Sequence, residues 1–283
     1  MNRRFGVIGG DRRQAELARL LRADGCSVVT YGLRQWKCGG EGTLEQAAAA
    51  KIVVLPLPLC KGDGVLNCQD EPLPTAELFR HLDPSQTVLA GQVQPAQRRE
   101  AESRGIELLD YFRREELMVA NAAATAEAAV QIAMERLDRT ILGMNCLVVG
   151  FGRIGKLLSC RLHGLGGRVT ATARKPADLA WIRAYGYAAM ETGKLDGGLQ
   201  NFGVVFNTVP SLVLDDTLVA QLPPDCLCVD LASVPGMDLS AAEARGLPQV
   251  WARSLPGRLV PCTAAQVIRD AVYHILEERG DPA

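Results

Sequence analysis

Histidine is scarce: His81, His163 and His274 are the three in 283 residues. All three fall in helical stretches and read as structural or surface positions, so chemistry that needs an imidazole in a loop is poorly served. Charge of one sign is also missing. Lys and Arg number 31 against 32 Asp and Glu, a net charge of −1, without the basic face that nucleic acid requires. The nine cysteines show no CxxC spacing, which removes the usual zinc and redox signatures. Cys146 and Cys228 lie in apolar runs and read as small core residues. Unpatterned thiols fit a reducing, cytoplasmic setting. No apolar run approaches the roughly 20 residues of a membrane span. The start, MNRRFGVIGG, has too short an apolar stretch for a signal peptide. A soluble protein with neither nucleic acid nor membrane as partner is expected.

What is present is apolar residue, 48% of the chain, in short runs that alternate with helical stretches. RFGVIGG, SVVTYG, KIVVLPLPL, TVLAG and IELLDYF read as strands in the first half, with a helix over Arg13–Ala23. CLVVG, RVTATA, GVVFNTV, CLCVDLA and LPQVWA repeat the pattern in the second. Such alternation predicts parallel strands with crossover helices. The fold class is therefore α/β, with two doubly wound parallel-sheet domains and a cleft between them. Residues 1–115 form the first domain, and 116–140 a long connecting helix with a break near Thr125. Residues 141–262 form the second domain. A last helix over 263–283 is placed to cross back onto the first.

The stretch VVGFGRIGKLL puts Gly150, Gly152 and Gly155 between a strand and a helix. A further strand, RVTATA, completes a βαβ unit of about thirty residues, the context of a Rossmann dinucleotide loop. Gly150 permits the turn, Gly152 lets a pyrophosphate approach the backbone, and Gly155 lets the helix pack on the strand. Arg153 and Ile154 open that helix, whose N–H groups face the phosphates. At the end of RVTATA an NAD site usually carries Asp or Glu. Ala173 followed by Arg174 and Lys175 stands there instead, which suits a 2′-phosphate. NADP is expected, with NAD as the alternative.

The opening VIGGDRRQ resembles the same turn with other residues. Asp11, Arg12, Arg13 and Gln14 follow Gly9 and Gly10, and the third glycine is absent. Such a turn either binds a small anion between a helix N-terminus and guanidinium groups, or is an Asp11 N-cap beside solvent-exposed arginines.

Taken in order, VIGGDRRQ, VLPLPLCKGDGV, the Asn121–Glu127 segment, GFGRIG, ATARK, FNTVPSLVL, VDLASVPG and LPGRLVPCTAAQVI resemble the A-subunit family of dipicolinate synthase nearly end to end. Cys262 stands where members often carry Lys, and Leu57–Lys61 replaces a run richer in Ser and Thr. The resemblance implies oxidation of dihydrodipicolinate during sporulation, with a nicotinamide as hydride acceptor and a flavoprotein-like B subunit as partner. It is also compatible with a homo-oligomer. The substrate is a small dicarboxylate, for which Arg12, Arg13 and Arg258 offer counter-charges.

On this reading Thr208, Val209 and Pro210 border the cofactor, with Ala232 and Ser233 beside the ring. Across the cleft Arg13 binds a substrate carboxylate, with Arg12, Gln14, Ser211 and Arg258 nearby. Asp11 or Ser233 orients the ring or relays the proton. Two other functions share the architecture. A 2-hydroxyacid dehydrogenase normally needs a cleft histidine, and the loops at Asn207–Ser211 and Ala232–Gly236 contain none. A non-catalytic NADP-binding regulator usually appends a further module, and none is visible.

Overall fold

The computed structural model describes residues 3–62 and 64–280. The chain divides into two compact units, Met1–Asn121 with Pro256–Ala283, and Ala122–Leu255. The first begins with β1 (Arg4–Ile8), α1 (Arg12–Ala23), β2 (Ser27–Tyr31), α2 (Leu44–Ala48) and β3 (Ile52–Val54). It continues through α3 (Thr75–Leu78), β4 (Thr87–Ala90), α4 (Pro95–Glu102), β5 (Leu108–Asp110) and the start of α5 (Glu115–Arg136).

The second unit holds the rest of α5, then β6 (Asn145–Val149), α6 (Arg153–Gly164), β7 (Arg168–Ala173), α7 (Pro176–Ala184) and β8 (Ala188–Glu191). β9 (Val204–Asn207), α8 (Asp216–Val219), β10 (Leu227–Asp230), α9 (Leu239–Ala244) and β11 (Gln249–Trp251) complete it. The chain then runs through α10 (Leu255–Leu259) and α11 (Pro261–Glu278). The latter belongs to the first unit and packs on α1.

Both sheets are parallel, as the alternation predicts. The first runs β2-β1-β3-β4-β5 and the second β11-β10-β9-β6-β7-β8. The strand orders are those of the flavodoxin-like and Rossmann doubly wound folds. In the first sheet Val7 pairs with Thr30 on one side and Val54 on the other. Alternation then sorts the side chains. Phe5, Val7, Ile52, Val54 and Leu89 join α1 and α11 in one core, while Ile8, Val53, Val88 and Ala90 join α2 and α3 in another. Strands covered on both faces carry near-continuous apolar runs, as Phe5–Ile8, Ile52–Val54 and Val88–Ala90 do here. In the second unit Leu147, Val149, Val205 and Cys228 form the corresponding cluster.

Three expectations need correction. KIVVLPLPL gives a strand of only three residues, because Pro56 and Pro58 have no N–H to offer a ladder. α5 is continuous through Thr125; its alanines are the best helix formers, and small residues alone do not break a helix. His81 lies just beyond α3 rather than in it. Among the described residues α5 alone is long and apolar enough to cross a membrane by length and composition, a test that a core helix also passes, and half of its apolar window is buried within the protein. Its alanines raise the mean hydropathy without forming an unbroken run.

Candidate functional site

The turn from β6 into α6 follows from its three glycines. Gly150 has φ +96°, a conformation L side chains rarely adopt. Its N–H donates to Thr172 Oγ1 at 3.1 Å, and that hydroxyl lies 3.0 Å from Thr192 Oγ1. A Cβ on Gly155 would fall 2.1 Å from the Gly150 carbonyl oxygen, so α6 can approach β6 only with glycine there. At Gly152 the opposite holds: a Cβ would meet nothing within 4 Å. Gly152 is also the N-cap of α6 and offers no side-chain acceptor to the helix's first N–H groups. Phe151, between the glycines, is buried, with Lys156 Nζ 5.6 Å from its ring centre.

Around this loop the structure places several of the residues expected from sequence. Thr208 donates from both its N–H and its hydroxyl to the Val149 carbonyl, at 3.0 and 2.9 Å. Val209 follows, half-buried, while Pro210 and Ser211 are exposed. Arg153 is exposed and Ile154 half-buried in the first turn of α6. Arg174 and Lys175 are exposed directly after β7, and neither forms an ion pair among the described residues.

The loop after β10 rests on a residue the sequence reading missed. Asp230 is fully buried. Its Oδ1 accepts from Ala232 N at 2.9 Å; its Oδ2 accepts from Gly236 N, Met237 N and Asn207 Nδ2 at 2.8, 3.0 and 3.0 Å. Asn207 also donates to the Val209 carbonyl at 3.0 Å, so one carboxylate fixes the loops after both β9 and β10. Trp251 Nε1 donates to the Ala232 carbonyl at 2.9 Å. Ala232 is thus buried and held at both ends of its peptide, while Ser233 beside it is exposed. An acid ending the apolar run CLCVD was the available signal, since a buried carboxylate must find donors.

In the first unit Asp11 is the N-cap of α1. Its side chain accepts from Arg13 N at 2.9 Å, and Gln14 Oε1 returns a capping-box bond to Asp11 N at 3.3 Å. Arg12 is exposed and pairs with Glu16 at 3.6 Å. Arg13 is not exposed as the N-cap alternative supposed: its side chain is 7% accessible. Nε and Nη2 reach the Asp11 carboxylate at 2.9 and 2.8 Å, and Nη2 also donates to the Leu57 carbonyl. α10 sits on this pair, since a Cβ on Gly257 would fall 2.9 Å from Arg13 Nε; Arg258 next to it is exposed. Gln14 is buried with its Nε2 lacking a partner. The buried Tyr111 hydroxyl donates to the Leu55 carbonyl at 2.9 Å, and burial pushes its ionisation far above the ordinary tyrosine range.

His163, in the last turn of α6, meets Tyr187 edge-on at 5.4 Å, and His274 Nδ1 is 3.8 Å from Glu116. His163 lies at the opposite end of α6 from the glycine loop.

Two doubly wound parallel sheets, one opening on an intact glycine loop, define the class: a two-domain Rossmann-type fold. A transhydrogenase from Sinorhizobium meliloti shares it at a TM-score of 0.71 and 16% identity, over 97% of this chain and 94% of that one. The particular relative is closer. Residues 4–112 match the family of the N-terminal domain of the dipicolinate synthase A subunit. The chain is 29% identical to the dipicolinate synthase A subunit of Bacillus subtilis (strain 168), over 97% of its own length and 96% of the relative's. The crystal structure of the Bacillus subtilis dipicolinate synthase A chain superimposes at a TM-score of 0.86 with 27% identity, covering 98% of this chain and 97% of that one. The resemblance read from the sequence thus holds over nearly the whole chain.

Proposed function

We propose that this chain is a nicotinamide-dependent oxidoreductase that acts as the A subunit of a dipicolinate synthase, oxidising dihydrodipicolinate to dipicolinate during sporulation. The observation that carries this reading is the unfilled space at Gly152, at an uncapped helix N-terminus, with the exposed cations Arg174 and Lys175 following β7, the strand paired with β6. These residues fit a dinucleotide. Gly150, Gly152 and Gly155 with the N–H groups of Arg153 and Ile154 would hold its pyrophosphate. Arg174 and Lys175 would hold the 2′-phosphate of NADP, in preference to NAD. Thr208, Val209, Pro210 and Ala232 would border its other end.

Bound there, a nicotinamide supplies a two-electron hydride acceptor. The substrate's oxidation removes hydride from one ring carbon and a proton from its neighbour, leaving an aromatic ring. Aromatisation favours that loss, so no loop histidine is needed. Asp230 and Trp251 keep the loop carrying Ala232 and Ser233 in place. Ser233 and Asp11 are the groups assigned to orient the ring or relay the proton. Arg12, Arg13, Gln14, Ser211 and Arg258 are the first assignment for substrate contacts. The relatives are named as A subunits, which supports a multi-subunit synthase, and a flavoprotein-like B subunit is the partner proposed. A cytoplasmic location follows from the same reading.

The test is an absorbance assay at the dipicolinate band and at the NADPH band, with and without the B subunit. It starts from the product of an aldolase-type condensation that yields the dihydropyridine. Both bands should rise together. NADP binding without reduction in the presence of both subunits would point instead to a regulatory protein.

A further inference from the structure

The first unit contains a hollow of about 540 Å³ at the carboxyl ends of β4 and β5. That size is ordinary for a small-molecule site, and the carboxyl edge of a parallel sheet is where such ligands sit. Val93, Pro95, Phe112 and Met118 give it apolar walls, and Arg98 and Arg113 bring two guanidinium groups to it. One nitrogen of Arg98 is engaged, donating to the Leu108 carbonyl at 3.1 Å. The Arg113 side chain has no partner among the described residues and is exposed.

The carboxylate present, Asp110, is already occupied. It accepts from the backbone N–H groups of Gln92, Val93 and Phe112 at 2.9, 3.0 and 3.0 Å. Those bonds tie the end of β4 to the end of β5 and fix the walls. They also hold Gln92 at φ +56°, a left-handed conformation for a residue that is not glycine. Two cations against one saturated anion leave the hollow with an excess positive charge. Pro95 opens α4, whose N-cap Gln94 gives no side-chain bond to the first turn. The positive end of that helix therefore adds to the same sign.

Arg13 is placed differently. A carboxylate and a carbonyl already take up its Nε and Nη2, and Gly257 covers the pair. An incoming carboxylate would have to displace Asp11 to use the guanidinium fork face-on.

We propose that the hollow lined by Arg98, Arg113, Phe112 and Met118 is a binding site for a small carboxylate with a flat apolar body. Arg113 is the anchor, since a planar guanidinium matches a carboxylate with two parallel bonds. The apolar walls cover the ring. A phosphate would find no use for those walls. The identity of the ligand as a pyridine dicarboxylate rests on the function proposed above; the chemistry of the site does not.

The test titrates the full chain calorimetrically with dipicolinate, benzoate and inorganic phosphate. Arg113→Ala, Arg113→Lys and Phe112→Ala follow, each checked for an unchanged melting temperature. Wild type should bind dipicolinate. Arg113→Ala should weaken it at least tenfold and Phe112→Ala severalfold, with part of the affinity restored in Arg113→Lys. Dipicolinate affinity unchanged in Arg113→Ala overturns the site, even where NADP reduction proceeds normally. So does a wild type that binds neither carboxylate, or one that binds phosphate more tightly than either. Benzoate held through Arg113 without any dipicolinate binding sustains the site and separates it from the function proposed above, which the absorbance assay with both subunits tests on its own.

Discussion

The two units open with the same device, a strand running through a glycine turn into a helix, and they leave it in opposite states. After β1 the turn is filled by its own chain. Gly10 N–H donates to the Asn67 carbonyl at 2.6 Å, Leu66 closes over Gly9, and Asp11 caps α1. After β6 nothing lies over Gly152, and no side chain caps α6. A helix N-terminus is an anion site only while its N–H groups lack partners. Glycine alone does not distinguish the two turns; the residue after it does, because Asp11 supplies the acceptor that Gly152 cannot.

The largest effect is expected where the open turn is closed by a side chain. Gly152→Val should remove detectable NADP binding, a loss beyond about a hundredfold, or about 3 kcal/mol. The fold should stay intact, because a Cβ at this position meets nothing within 4 Å. Calorimetry read with circular dichroism checks this, and retained affinity would reduce the loop to a structural turn.

Breaking the filled turn should cost stability instead. Arg13→Ala leaves Asp11 partly buried without its cation. The expected loss is about 3 kcal/mol, the lower end for such a pair, since the Asp11 side chain is 20% exposed. Urea unfolding measures it, and adding Asp11→Ala should recover part of the loss. NADP affinity should not change, because the glycine loop lies in the other unit. An unaltered urea midpoint in Arg13→Ala would mean that the pair does not hold the turn.

Cofactor choice sharpens the comparison on the open side. Arg174→Ala should cost NADP about 1.5–3 kcal/mol, as charge-assisted hydrogen bonds do, which is about ten- to a hundredfold. NAD should be nearly unaffected. Equal weakening of both would return Arg174 to the solvated surface.

The smallest effect is a pH dependence present in both units. Burial pushes the Cys60 thiol in the first up to about 11 and the Cys146 thiol in the second up to about 12, from 9.0. Unfolded, both ionise near their ordinary value. Their stabilisation is therefore complete below about pH 9 and is lost as pH rises toward the folded values. Melting temperatures should fall over that range, less steeply in Cys146→Ala. At about pH 8 a maleimide should label the exposed Cys160 and Cys262 first. An identical slope in the variant would place the alkaline loss elsewhere.

Local pattern carried the open turn well. Three glycines after an apolar run, a helix and a second strand are short-range facts, and each constrains the backbone directly. The reading failed where a partner lies far along the chain. For Arg13 the sequence leaves a solvent-exposed arginine as one alternative, until Leu57 and Gly257 are brought beside it. Asp230 looks like a strand end until the N–H groups of residues 232, 236 and 237 turn back onto it. The hollow at β4 and β5 left no motif, since Arg98, Asp110 and Arg113 come together only through sheet pairing. In α5 the failure was local: clustered alanines were read as a break, although they propagate a helix better than any other residue.

The return of α11 to the first unit has a consequence for how the protein is made. Ala265, Ile268, Val272, Ile275 and Leu276 share one core with Phe5, Leu17 and Leu21, near the opposite end of the sequence. A chain emerging from the ribosome exposes the face of α1 first and must wait for its cover until α11, more than two hundred residues later, has been made. Everything in Ala122–Leu255 emerges in between. The usual N-to-C order of domain completion is therefore inverted. The second sheet can close while the first is still uncovered along α1.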